Sequence, residues 1–188
     1  MLRPQTRAIA GHVERAVLAT LQATPETTAL TFDAANPAKL FTQIRKTLRG
    51  QGIAEDATIH AVAGLDVEAA LLDGPNGTFD NAGNVRGIQM HYSNRLADDE
   101  VIAFVRDAFA LVVRAPRKPE GATFGASVKE EGFAMRYVRD YESTVAADRS
   151  LVSAFVGVKA MPLPIVDEVA GTVTLTDNAG AVRVLTAA

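Results

Sequence analysis

The sequence predicts an α+β fold. Three observations carry that prediction. Residues 5–24 hold a one-sided apolar stripe at helical spacing. A second helix pattern and short strand patterns follow it. After Pro116 and Pro119 the character changes to long extended segments, so helices and short strands come first and long strands last.

In residues 5–24, Ile9, Val13, Val17 and Leu21 recur every fourth position. Pro4 suits a first helical turn, and Thr24-Pro25 stops the helix. This stripe should lie on a sheet made from the strands around 133–141 and 151–161. Asn36-Pro37 opens a second helix, with Asn as cap and Pro at the first helical position. Leu40, Phe41, Ile44 and Leu48 form its apolar face, and Gly50 is the expected C-terminal cap. Thr58 to Ala63 reads as a strand, and Asp66 caps a helix through Leu72. Residues 73–87 form a polar loop rich in turn residues. The sequon Asn76-Gly77-Thr78 lies in it and reads as a turn.

Gly87 to Ser93 alternates, with Ile88, Met90 and Tyr92 on one face. Asp98 to Arg114 reads either as one helix or as strand, turn, short helix and strand. The strand formers from Phe109 to Val113 favour the mixed reading. Phe124–Lys129, Phe133–Tyr141 and Leu151–Met161 read as strands, the last broken by Pro162 and Pro164. Residues 171–176 and 181–185 read as a closing hairpin around Asp177-Asn178-Ala179-Gly180.

Composition narrows the function classes. The chain has 188 residues, 48% hydrophobic and 22% charged, in the range of a globular protein with an ordinary core. Its 19 basic and 22 acidic residues give a net charge of −3. The basic groups, Arg45-Lys46 with Arg49 and Arg114 with Arg117-Lys118, are short and diluted, which disfavours nucleic-acid and anionic-membrane binding. Without cysteine there is no disulfide, thiolate metal site or cysteine nucleophile. Apolar runs such as Leu151–Val158 are far below the roughly 18 residues of a membrane-spanning helix. The N-terminus, with Arg3 and Arg7 but no apolar run, does not read as a secretory signal.

Catalytic patterns do not rise above background. Gly50-Gln51-Gly52 lacks the third glycine and preceding strand of a phosphate loop, and no serine sits in a nucleophile elbow. His60 and His91 sit mid-strand and could meet across a sheet; structural or surface roles are the expectation. Asp98-Asp99-Glu100 reads as acidic residues at the start of an element, not as an Mg²⁺ cluster. The expectation is no catalytic residue, no cofactor and no metal. One charged group is more suggestive: Arg136, Arg139, Asp140, Asp148 and Arg149 place opposite charges on and beside long strands. They read as a solvated strand face or as inter-subunit ion pairs.

Several strings occur in a familiar order. Asp66-Val67-Glu68-Ala69-Ala70-Leu71-Leu72 follows Val62-Ala63-Gly64. Gly87-Ile88-Gln89-Met90-His91-Tyr92-Ser93 comes next, then Phe104 to Pro116, Gly132 to Tyr141, and Asp148-Arg149-Ser150. This order resembles the major capsid (coat) proteins of tailed bacteriophages, of the Hong Kong ninety-seven fold. It is most similar to the branch with an Arg-Asp-Tyr strand, here Arg139-Asp140-Tyr141. The resemblance implies a spine helix and connection at 1–35 and an axial α/β domain at 36–116. It further implies returning peripheral strands at 117–166, with a C-terminal hairpin at 167–188. The family's N-terminal arm and extended β-loop have no counterpart ahead of this helix, which leaves a truncated chain, a partial gene or a divergent relative as the alternatives.

The implied function is a self-assembling shell subunit of a virion, made in the bacterial host cytoplasm and enclosing a packaged genome. Implied partners are copies of itself in pentamers and hexamers, and a scaffolding protein. Sequence-specific nucleic acid and membranes are not among them. Two other readings stand beside it. A small-molecule- or protein-binding α+β domain of phage or bacterial origin would show a deep apolar pocket. An enzyme using Asp98, Asp99 and His91 would bring them within hydrogen-bond reach around a cleft.

Overall fold

The computed structural model describes residues 3–75, 78–122, 124–130, 133–167 and 171–186. Its architecture is α+β. The helices are α1 (Arg3–Gln22), α2 (Ala38–Gly50) and α3 (Leu65–Leu72). The strands are β1 (Ile59–Ala63), β2 (Ile88–Tyr92), β3 (Glu100–Val105), β4 (Phe109–Arg114), β5 (Phe124–Glu130), β6 (Phe133–Glu142), β7 (Ala147–Ser153), β8 (Phe155–Ala160), β9 (Leu163–Asp167), β10 (Thr172–Thr176) and β11 (Ala181–Leu185). The segment from Glu100 to Arg114 takes the mixed reading, with a 3₁₀ turn at Arg106–Ala108 between β3 and β4. The chain divides into two compact units. One comprises residues 1–17 and 111–158, the other residues 18–110 and 159–188.

The second unit is built on a four-stranded sheet in the order β11-β3-β1-β2. β1 and β2 are parallel, as a connection through α3 and a long loop allows, and the other pairs are antiparallel. Ile59, Ala61 and Ala63 alternate inward on β1. They join Leu40, Phe41, Ile44 and Leu48 of α2, Val67 and Leu71 of α3, and Val182 and Val184 of β11 in one buried cluster. Each of the Leu, Ile, Val and Phe side chains among them contributes roughly 1.5–3 kcal/mol when fully buried. Gly64 precedes α3 because a Cβ there would strike the carbonyl oxygens of Ala97 and Asp98.

Among the described residues, one charged side chain is buried with this core. Glu100 is 1% exposed. Its Oε1 accepts from Arg183 Nε, and its Oε2 accepts from Gln22 Nε2 at 2.8 Å. Burial of the carboxylate is tolerable only because both oxygens are partnered.

The first unit holds the antiparallel sheet β5-β6-β7. Its pairing register sorts the side chains by face. Phe124, Ala126 and Val128 share one face with Met135, Tyr137, Arg139, Tyr141, Asp148, Ser150 and Val152. Ser127, Arg136, Val138, Asp140, Glu142, Arg149, Leu151 and Ser153 share the other. The described buried hydrophobics of this unit are Val13, Met135 and Val138. β4 and β8 pair as a separate two-stranded ribbon.

Several expectations need correction. The α1 stripe buries Val13 and Leu21 but leaves Ile9 and Val17 half-covered, and buries Leu18, which the stripe omits. Four-residue spacing advances about 40° per step beyond a full turn, so a string from Ile9 to Leu21 winds around the helix instead of following one face. Asp66 does not cap α3: the cap position is Gly64, with no side-chain bond. Asn36 does not cap α2 through its side chain either; Pro37 holds that position, and the Asn36 carbonyl accepts from the Lys39 amide. Gly50 ends α2 inside the helix, and the left-handed residue is Gly52, at φ +89°. Leu151–Met161 divides at Ala154 into the end of β7 and β8.

The closing hairpin at 167–188 does not form. β10 pairs with β9 and β11 with β3, and Pro164 occupies a strand of the β9–β10 ribbon instead of ending one. In the sequon, Asn76 and Gly77 lie outside the described residues.

Candidate functional site

The charged group on β6 and β7 comes first. Arg139 Nη2 donates to Asp148 Oδ2, a diagonal pair on one face of the sheet. On the other face Arg149 Nη1 lies 3.0 Å from Glu142 Oε2. Arg136 Nε donates to Ser153 Oγ at 3.1 Å, and its Nη1 donates to the Arg117 carbonyl at 2.7 Å. Asp140 Oδ1 accepts the Tyr141 amide at 2.9 Å.

The five residues therefore do not form one cluster. The pleat sends Arg139 and Asp148 to one face and Arg136, Asp140 and Arg149 to the other. Each arginine also has a partner within its own unit. The Asp148 carboxylate, through its hydrogen bond and its charge, holds the Arg139 guanidinium above its ordinary pKa. The hydroxyl of Thr144 and then the charge of Arg149 pull Glu142 below the usual carboxylate range. Glu142, Ser153 and the Arg117 carbonyl were missed from sequence. Glu142 had a readable signal, since a carboxylate two positions along from Asp140 falls on the same face.

α1 meets this sheet at its start, where Gln5 Nε2 donates to Ser150 Oγ at 3.1 Å. A depression of about 420 Å³ lies beside that contact, lined by Ala8, Ile9, His12, Leu151, Val152 and Val156 among others. Apolar side chains remain uncovered around the strands of the unit. Phe155 is 68% exposed, Val112 55%, Phe124 53% and Leu151 48%.

The acid and base candidates lie in the other unit. His60 and His91 do meet: Nδ1 of His60 is 3.4 Å from Nε2 of His91, and the rings stack. Phe104, opposite His60 on β3, stacks on its other side. Burial first, then the charges of His91 and Arg106, hold His60 below its ordinary pKa. Asp98 and Asp99 serve through their backbones, the Asp98 carbonyl accepting from the Asp66 amide and the Asp99 carbonyl from Thr186. Glu100 is the buried ion-pair partner of Arg183, not part of an open acidic cluster. Among the described residues, no three His, Asp or Glu side chains converge as a metal-holding group. A depression of about 520 Å³ beside His60 is lined by Thr58, Gln89, Arg106 and Asp107 as well as Ile53, Val105 and Leu163.

No protein-family model matches the chain, and no curated protein matches it. Among solved structures it is similar to the virus-like particle of Pyrococcus furiosus, at 14% identity and a TM-score of 0.44. That match covers 91% of this chain and 61% of the particle's chain, so this chain spans less than two thirds of the neighbour's length.

Proposed function

We propose that the chain is a non-catalytic structural subunit that assembles with copies of itself into a shell, in the manner of tailed-phage coat proteins. In this reading α1 is the spine helix, residues 1–35 and 117–166 belong to a peripheral domain, and residues 36–116 form the axial domain. The observation that carries it is the first unit's uncovered apolar surface. Leu111, Val112, Phe124, Tyr141, Val145, Leu151 and Phe155 are exposed there, against Val13, Met135 and Val138 buried. Exposed apolar side chains that join into a patch are the usual mark of a contact surface. The grouping of residues 1–17 with 111–158 agrees with the resemblance's pairing of the N-terminal helix with the returning strands, while residues 18–35 and 159–166 group with the other unit. Many weak copies of one contact can hold a shell together.

The test is sedimentation velocity over a concentration series, with electron microscopy of the heaviest fractions. Association should rise with concentration and fall when Phe155 and Val112 are both changed to Ser. A chain that stays monomeric at every concentration would remove the shell reading.

A further inference from the structure

We propose that His60 and His91 form a two-point chelate for a zinc-like divalent cation, a site independent of the shell reading. The argument starts from the sheet. β1 and β2 are parallel with His60 opposite Gln89 and Val62 opposite His91. The histidines are therefore diagonal neighbours on the same face, and the backbone fixes their separation before any ion arrives. On β3, Phe104 stands opposite His60 and stacks on it, with ring centroids 6.0 Å apart, which restricts the imidazole's orientation. His91 is exposed and His60 half-buried, so the pair is open to solvent on one side and supported on the other.

The separation decides what the pair suits. The ring nitrogens are 3.4 Å apart. Nitrogen donors in hydrogen bonds usually stand about 2.9–3.0 Å from their acceptors, so 3.4 Å is loose for a bond between imidazoles. Two imidazole nitrogens bound at about 2.0–2.1 Å to one tetrahedral ion stand about 3.3–3.4 Å apart. A square-planar ion with the same bond lengths would hold adjacent ligands only about 2.9 Å apart. The observed span matches the bite of a tetrahedral ion such as Zn²⁺ once each imidazole turns to aim its nitrogen at the ion instead of at its neighbour. With two protein ligands, water fills the other positions. Arg106 beside His60 opposes a cation, so the site should be of modest affinity.

The experiment titrates the full, untagged chain with Zn²⁺ by calorimetry in a non-chelating buffer, and with Co²⁺ by visible absorption. One ion per chain and an intense tetrahedral Co²⁺ band are expected. His91→Ala and His60→Ala should each weaken binding at least tenfold. His12→Ala, which alters the remaining histidine of the sequence, should leave it unchanged, and Arg106→Gln should tighten it a few-fold. Circular dichroism checks that the variants fold; His91→Ala removes an exposed side chain, so it keeps the test valid if His60→Ala does not fold. Absence of binding by the wild type, equal binding by His91→Ala, or a pale octahedral Co²⁺ spectrum would each overturn the proposal.

Discussion

The two units of this chain spend their apolar residues differently. Residues 18–110 and 159–188 gather most of theirs into one buried cluster and leave Leu72, Val173 and Leu175 exposed at its margin. Leu40, Phe41, Ile44 and Leu48 on one helix face meet Ile59, Ala61, Val182 and Val184 from the sheet, all buried. Residues 1–17 and 111–158 form sheet and ribbon with the same kinds of side chain, yet leave Phe155, Val112 and Phe124 more than half exposed. Both regions are rich in strand formers, so propensity does not separate them. The difference is that one region has α2 and α3 to close its core face, whereas the other has only the first part of α1. A sheet whose faces lack such cover must either tolerate wet apolar surface or obtain cover from another molecule.

The sharpest way to break this comparison is to truncate one residue in each unit. Ile44→Ala should cost about 2–5 kcal/mol in chemical denaturation, by lost transfer energy plus a cavity. Leu151→Ala, at a site 48% exposed, should cost within about 0.5 kcal/mol. Equal losses would mean that the exposed strands are part of a core after all. Next in size is Glu100→Gln. It leaves Arg183 without a carboxylate partner in the better-packed unit, and should cost about 1–3 kcal/mol. A double-mutant cycle with Arg183→Met should recover part of that loss; simple additivity would show that the pair is not coupled.

Hydrogen exchange then reads the contrast without mutation. Amides of β1 and β3 should exchange far more slowly than those of β5 and β7. Uniform protection would indicate one cooperative block. Arg139→Glu should leave the denaturation midpoint unmoved, because both partners of its ion pair are 59% exposed. The same variant in a sedimentation salt series separates a role in self-association from a purely local pair. The smallest effect concerns Glu142, whose depressed pKa means its contribution is present above the ordinary carboxylate value and lost as pH falls through the folded value. NMR of the Thr144 amide should show the turn loosening only below the ordinary glutamate range, and Glu142→Gln should abolish that titration.

What the sequence disclosed follows the same division. The second unit was legible where pattern and packing agree: the α2 face Leu40-Phe41-Ile44-Leu48 is buried throughout, and β3 and the 3₁₀ turn lead, as the strand formers to Val113 indicate, into β4, which runs on into the first unit. The meeting of His60 and His91 was legible because both lie mid-strand on neighbouring strands. Pairings at long range were not. Asp177 to Gly180 does make a turn, but nothing local says that β11 will choose β3 over β10. The charged residues of β6 and β7 were found, but their division between two faces depends on the register, which places Tyr141 opposite Asp148.

The contacts of Glu100 also bear on the order of events during synthesis. Gln22 comes from far upstream, and Arg183 from 83 residues downstream. The edge strand β11 and the neutralising arginine both arrive after the whole of residues 111–158 has been made. Until then β3 has one unfilled edge, and a carboxylate destined for burial lacks its cation. The better-packed unit should consequently fold late and slowly, since its sheet closes only through distant pairing. The strands that expose apolar surface emerge from the ribosome before that lock is available, which makes the interval before β11 docks the period of greatest aggregation hazard.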